Sequence, residues 1–269
     1  MTNKLFNVSD EIVVITGASG QLGLEYSKTF LASGAKVVAL DLCKNQAIEN
    51  LLENFKSSFV FISSNITNSE NLRTAAAEIK DIFGVPTVLV NNAAIDSPPN
   101  APAEETGPFE DYPEASWDKV MDVNVKGVFL TCKIIGAMMA KNNKGSIINI
   151  SSIYGVVSPD QGLYEYRRKR GEVFYKPVAY SASKSALINL SRYLAIYWAK
   201  KNVRVNTLVI SGVFNGQEED FLKAYCERIP VGRMANHDEY NGAILFLASE
   251  ASKYMTGSQL TIDGGWTSI

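Results

Sequence analysis

The 269-residue sequence predicts an α/β fold: a doubly wound parallel sheet of seven strands with helices on both faces. Three observations carry that prediction. Short continuous apolar runs recur, as strands buried on both faces require. They alternate with helical patterns, which specifies right-handed crossovers. The first run, Ile12–Ile15, passes through a turn holding Gly17, Gly20 and Gly23 into a helical pattern over Leu24–Leu31.

Composition bounds the function. Hydrophobic residues make up 46% of the chain, enough for one large domain over 1–269, with no repeat or linker to split it. With 26 basic and 28 acidic residues there is no basic excess to hold nucleic acid. Cys43, Cys132 and Cys226 lie far apart in no metal-ligand pattern, so no metal is expected and a reducing cytoplasm suits them. His237, the single histidine, sits in a polar stretch, which argues against a Ser-His-Asp hydrolase. The first ten residues hold no apolar signal core. Lys133 interrupts the longest apolar run, Val128–Ala140, so no membrane span is expected.

The glycine turn lets backbone approach a pyrophosphate, and the following helix offers free N–H groups and partial positive charge. A tight turn without a ligand would look the same, and the next strand breaks that tie. Lys36–Asp41 ends in an acid 18 residues after Gly23, where a Rossmann-type fold places its ribose-binding carboxylate. Asp41 would accept from both ribose hydroxyls and repel a 2′-phosphate. No arginine sits in the turn or directly after Asp41, and Lys44 is the only nearby cation, so NAD is favoured over NADP.

The pattern continues with a strand over Phe59–Ser64, a helix over Ser69–Phe83 and a strand over Thr87–Asn91. Asn65 and Ile66 follow the third strand, and Asn91, Asn92, Ala93 and Ala94 close the fourth, both at the sheet edge where a ligand lies. Asn65 is placed to bond an adenine; Asn91 either braces its turn or touches the cofactor. Residues 96–117 form a Pro- and acid-rich loop, containing Pro98, Pro99, Pro102, Pro108 and Pro113, too polar for core and suited to the substrate side. A long helix is expected over Ala115–Asn142 with Asn124 near its middle, marking a kink or a functional carbonyl. The fifth strand, Ser146–Ile150, delivers Ser151 and Ser152 to the same edge.

Tyr180 and Lys184 are four residues apart in a helical pattern, so phenol and ammonium share a face. A free phenol titrates near about 10, too high for proton transfer at neutral pH. Lowering it by about 3 units needs about 4 kcal/mol, which one ammonium about 4 Å away supplies at an effective dielectric of about 20. The spacing is sufficient but not specific, since Tyr197 and Lys201 repeat it.

Together these pieces resemble the short-chain dehydrogenase/reductase family over nearly the whole chain. The resemblance rests on the glycine turn, Asp41, the Asn91-Asn-Ala run, Asn124, Ser152 and the Tyr180/Lys184 pair; the tail, with Asp263 to Gly265, is similar to the single-domain, shorter-chain branch. It implies Tyr180 as general acid/base, with Lys184 lowering its pKa and holding the nicotinamide ribose. Ser152 would steady the substrate oxygen, and Asn124 would anchor a water relaying protons from Lys184. Cofactor contacts are expected at Gly17, Ser19, Gly20, Gln21, Leu22, Gly23, Asp41, Leu42, Asn65, Ile66, Asn92, Ala93, Ala94, Tyr180, Lys184, Gly212 and Val213. A homodimer or homotetramer through the two long helices would bury Tyr193, Tyr197 and Trp198, which otherwise read as packing.

The chain departs from that pattern in four places. Its middle glycine, Gly20, comes one residue early, as in the branch of sugar-nucleotide epimerases and dehydratases. Ala94 replaces a glycine. Ile210 and Ser211 stand where a Pro-Gly is usual after the sixth strand, Val203–Ile210, which should loosen the lid near 213–230. Finally, Ser152 and Tyr180 are 28 residues apart, about twice the usual gap. The extra segment, near 159–177, returns beside Tyr180 as a substrate wall. Its run Arg167, Arg168, Lys169 and Arg170 suits a phosphate-bearing, anionic substrate, or else a solvated or interface turn. A similar Tyr-Arg-Arg insert occurs in family dehydrogenases tied to bacterial surface-glycan and nonulosonate-sugar pathways, so the resemblance extends to that subgroup as an expectation. Phe214 on the lid would also meet substrate, and the last helix and strand fall at Asp238–Ser249 and Gln259–Ile262.

The expected function is therefore NAD-dependent interconversion of a secondary alcohol and a ketone (EC 1.1.1.-) on a small sugar or sugar-phosphate-like substrate. The rivals are a nucleotide-sugar epimerase or dehydratase with tightly held NAD, and a catalytically silent dinucleotide-binding regulator.

Overall fold

The computed structural model describes residues 2–97 and 102–269. Pro98 and Pro99 of the predicted loop lie outside the described residues.

Seven parallel strands, β1 (Ile12–Thr16), β2 (Lys36–Asp41), β3 (Phe59–Ser63), β4 (Val88–Asn91), β5 (Gly145–Ser152), β6 (Val203–Ile210) and β7 (Gln259–Ile262), form one sheet in the order β3-β2-β1-β4-β5-β6-β7. The order reverses between β1 and β4, which opens a crevice beyond their carboxyl ends. Alternate residues of each strand serve opposite layers. Val13 and Ile15 pack with Tyr26, Phe30, Tyr240 and Ile244 on one face. Val14 packs with Leu89, Ile135, Ile147 and Leu187 on the other. Each fully buried aliphatic side chain contributes about 1.5–3 kcal/mol, so both layers are needed.

Helix starts follow local chemistry. Asn68 caps the Ser69–Ile82 helix by accepting from Glu70 N (2.9 Å) and Asn71 N (3.1 Å). Asn45 does the same for a helix at Gln46–Asn54, which the apolar pattern does not announce but the β2-to-β3 crossover requires. The predicted 96–117 loop ends sooner, because the helix begins at Glu114, directly after Pro113.

That helix runs to Lys141 and is long and apolar enough to cross a bilayer. Val128, Cys132, Ile135 and Met139 are buried against the sheet, so it is a core helix. It contains two π-turns, Asp122–Gly127 and Cys132–Gly136. Each ends on a glycine pressed by a neighbour: an added Cβ would stand 2.6 Å from Ile66 at Gly127 and 2.8 Å from the Trp198 ring at Gly136. Asn124 lies within the first π-turn, as π-bulges at functional sites often hold such residues.

The glycine turn is tightly specified by its backbone contacts. Gly17 has φ of 65° and its Cβ position lies 2.7 Å from Ala93 Cα. A Cβ at Gly23 would sit 2.2 Å from the carbonyl oxygen of Gly17. Gly23→Ala is therefore expected to cost about 3 kcal/mol or more and to lower the thermal midpoint by about 5–10 °C, read by calorimetry. A variant as stable as wild type would show that turn and helix are not packed this closely.

Candidate active site

Beyond the carboxyl ends of β1, β2 and β4 lies a cavity of about 500 Å³. Gly17, Gly20, Gln21, Leu22, Asp41, Leu42, Asn65, Ile66, Asn92, Ala93 and Ala94 all line it, with Ser64, Ile95, Lys119 and Val123 as residues the sequence did not single out. Two predicted residues act from behind this wall. Gly23 packs against the turn, and Ser19 donates its N–H to Asp41 Oδ2 (2.9 Å) and its hydroxyl to Cys43 O (2.7 Å). Asp41 Oδ1 accepts from Leu42 N (2.7 Å). A carboxylate has about four lone-pair sites; with one donor on each oxygen, Asp41 keeps acceptor capacity at the rim of the cavity. The residues present thus fit a dinucleotide: glycine backbone for the pyrophosphate, and an open carboxylate for ribose hydroxyls.

The asparagines divide into ligand wall and brace. Asn65 Oδ1 is taken by Thr67 N (3.0 Å) and Thr67 Oγ1 (2.9 Å), leaving only its amide nitrogen for an adenine. Asn92 ties β4 to the glycine turn through Thr16 O and Gly17 O, both at 3.1 Å. Asn91 is buried and braces the core, donating to Asn149 Oδ1 (2.8 Å) and accepting from Thr131 (2.6 Å).

The four side chains predicted as catalytic lie at the neighbouring edge. The helix Val178–Trp198 starts after Pro177 and places Tyr180 and Lys184 one turn apart. Lys184 Nζ lies 5.6 Å from the Tyr180 ring centroid and donates to Ile150 O (2.9 Å) in β5. Ser152, at the end of β5, lies close enough to the Tyr180 phenol to favour its charged form, and its Oγ accepts from Tyr154 N (3.2 Å). Asn124 clamps Ile95 through both amide atoms (2.8 Å each) and donates to Ser183 Oγ (2.9 Å), which in turn bonds Tyr180 O. This is the joint between the long helix, the β4 turn and the catalytic helix.

The electrostatics differ from the sequence expectation. The chain by itself holds the Tyr180 phenol above its ordinary range, through burial first and the Asp96 carboxylate second, against a smaller opposing effect from Ser152. The same burial pushes Lys184 down to about 8. Lys184 is thus not enough to acidify Tyr180, because desolvation opposes both charged forms at once.

Asp96 and Lys176 went unnoticed in the sequence, where nothing marks them as partners. They form an ion pair, and Lys176 Nζ sits 5.3 Å from the centroid of the Tyr180 ring.

The guanidiniums of the basic run are paired with carboxylates. Arg167 pairs with Glu172 and lies over Phe174; Arg168 pairs with Glu165 and bonds two carbonyls, Phe174 O and Gln161 O. Arg170 reaches Glu218 and Asp220 on the lid. These guanidiniums already hold carboxylates, and none lines the cavities beside Tyr180 or Asp41. Arg170 ties the insert to the lid, while Arg167 and Arg168 brace the insert itself. Leu163, Tyr164, Tyr225, Ile229 and Met234 form a shared small core beneath them.

The missing proline after β6 does not leave the turn loose. Gly212 N donates to Tyr225 Oη (2.7 Å), and Val213 bridges Ala235. Gln21 donates to Phe214 O (2.9 Å), which brings the start of the lid against the glycine turn; the Phe214 side chain is half exposed.

A family model described as enoyl-(acyl carrier protein) reductase matches residues 17–267. The NAD-dependent glycerol dehydrogenase of Listeria innocua is 33% identical, covering 98% of this chain and 97% of its own. The D-threitol dehydrogenase of Mycolicibacterium smegmatis is 30% identical over 97% and 95%. The chain belongs to the short-chain dehydrogenase/reductase family. A short-chain dehydrogenase of Leptospira borgpetersenii, solved with NAD+ bound, superposes with a TM-score of 0.83 at 33% identity, covering 97% of this chain and 96% of that one. Membership makes the protein an oxidoreductase acting on CH–OH groups, and it accounts for the seven-stranded sheet and the reversal point between β1 and β4.

Proposed function

We propose that the protein is an NAD-dependent dehydrogenase interconverting a secondary alcohol and a ketone on a polyol or sugar-like substrate. The observation that carries this is the convergence of Ser152, Tyr180 and Lys184 at the sheet edge beside the cavity that Asp41 bounds. The relatives named for glycerol and threitol support the substrate class.

When bound, the oxidised nicotinamide supplies the hydride acceptor and a positive charge. The chain supplies the proton chemistry. In oxidation, Tyr180 Oη takes the proton from the substrate hydroxyl, while Ser152 Oγ holds that oxygen and steadies developing negative charge. The Lys184 ammonium favours the phenolate, and the site around Asn124 passes the proton on toward solvent. In reduction, the phenol donates. Asp41 and the glycine turn hold the dinucleotide, with Gly212 and Val213 closing over it. Expressed protein given NAD+ and a panel of glycerol, threitol and longer polyols should produce NADH with at least one of them. Absence of turnover across the panel with either dinucleotide would overturn the reading.

The protein also works as a homodimer or homotetramer in this proposal. Trp198 is buried as predicted, but Tyr193, Ile196 and Tyr197 stand on the surface, 64%, 81% and 66% exposed, with the two tyrosines stacked at 6.0 Å. Phe129 extends this apolar face onto the long helix. Such a patch marks an association surface. Tyr193→Glu with Tyr197→Glu should shift the mass measured by light scattering to that of a monomer.

A further inference from the structure

The Asp96–Lys176 ion pair joins the loop after β4 to the end of the insert, one residue before the Pro177 that opens the Val178–Trp198 helix. An amide side chain anchors each end. Asn124 grips the backbone N–H and carbonyl of Ile95, next to Asp96, at 2.8 Å each. Gln161 grips Lys176 in the same two-sided way, accepting from its backbone N–H (2.8 Å) and donating to its carbonyl (3.3 Å). The Lys176 side chain is only 13% exposed. The two charges therefore meet at a fixed place, unlike a surface pair whose long side chains wander.

That place is beside the phenol. Lys176 Nζ lies 5.3 Å from the Tyr180 ring centroid, about as near as Lys184 Nζ at 5.6 Å. Burial first, with the Asp96 carboxylate among the further causes, holds the phenols of Tyr180, Tyr112, Tyr154 and Tyr164 above their ordinary range. The carboxylate thus stands within electrostatic reach of all four.

The pair keeps hydrogen-bonding capacity of both kinds. An ammonium has three donors and a carboxylate about four acceptor sites. Among the described residues the Lys176 ammonium bonds Asp96 alone, and the Asp96 side chain, 47% exposed, accepts from Lys176 alone. Its charges cancel, so it selects neither an anion nor a cation. A hydroxyl donates and accepts at once, which suits a carboxylate and an ammonium held side by side. A simple alcohol, its one hydroxyl taken up by Tyr180 and Ser152, would offer this pair nothing.

We propose that Asp96 and Lys176 are substrate-recognition residues that bind the hydroxyl next to the reacting carbon, so that the protein selects 1,2-diols over simple secondary alcohols. The inference rests on the dehydrogenase reading for which hydroxyl reacts. It adds a demand on the substrate that neither Tyr180 nor Ser152 imposes.

2,3-Butanediol and 2-butanol share a carbon skeleton and differ by that one hydroxyl. With NAD+ saturating, wild-type kcat/KM should favour the diol by at least about tenfold, as a hydrogen bond to a charged group allows. Asp96→Ala should bring the ratio below about threefold, and Lys176→Met, which keeps a long stem, should lower it severalfold. Thermal midpoints near that of wild type show that the variants are folded; if Asp96→Ala melts early, Lys176→Met carries the comparison. A second arm needs no turnover. Erythritol titrated calorimetrically into Tyr180→Phe protein loaded with NAD+ should bind, and adding Asp96→Ala should remove at least about tenfold of the affinity. The proposal fails if wild type oxidises the two alcohols equally well, or if the preference survives the folded variants. It fails equally if erythritol does not bind, or binds as tightly without Asp96. Erythritol bound through Asp96 with neither alcohol turned over would sink the dehydrogenase reading and leave the recognition site standing.

Discussion

Tyr180→Phe is expected to lower alcohol oxidation by about 10²–10⁴-fold while leaving cofactor binding and the thermal midpoint nearly unchanged. The ring fits the same space, and only the atom that exchanges the proton is lost. The wild-type pH profile should carry its signature. Burial and Asp96 hold the phenol above its ordinary range, so the phenolate is scarce at neutral pH. Oxidation needs that base and should rise with pH, whereas ketone reduction uses the protonated phenol and should not. The Lys184 ammonium, titrating at about 8, is lost above that value, so the rise in oxidation should flatten there. Steady-state kcat/KM across that range in both directions checks the sign. A Tyr180→Phe enzyme retaining a tenth or more of wild-type turnover would remove the phenol from the chemistry.

Asp41→Asn should move the ratio of kcat/KM for NAD to that for NADP by about 100-fold toward NADP. Two effects add. The neutral amide accepts ribose hydroxyls less strongly than a carboxylate, by about 1 kcal/mol or more. It also removes a charge that would stand against a 2′-phosphate, a repulsion of about 2–4 kcal/mol at surface-like dielectric. The amide oxygen can still accept from Ser19 N or Leu42 N, so the turn should keep its shape and the thermal midpoint should fall little. An unchanged ratio would mean that Asp41 only braces the glycine turn.

What could be read in advance was what is encoded by near neighbours. Apolar runs gave each strand to within a residue or two at most ends, because a strand buried on both faces has nowhere for polar side chains. The glycine turn, Asp41 and the Tyr180/Lys184 spacing announced themselves for similar reasons of local stereochemistry. The Gln46–Asn54 helix did not, since it presents only Ile48 and Leu51 fully to the core. Asn91 left two readings open in the sequence, and packing chose the brace.

The sequence by itself determined a doubly wound sheet, the edge at which a dinucleotide-sized cavity and the Tyr180 phenol lie side by side, and the four side chains proposed here as catalytic. Only the tertiary structure decided what the charges do. Arg170 finds Glu218 and Asp220 some fifty residues onward, Lys176 finds Asp96 eighty residues back, and the ammonium meant to acidify Tyr180 is desolvated along with it. The physical reason is that backbone preference acts over a few residues, whereas a charge responds to whatever the folded chain brings near it and to how much water is excluded in doing so.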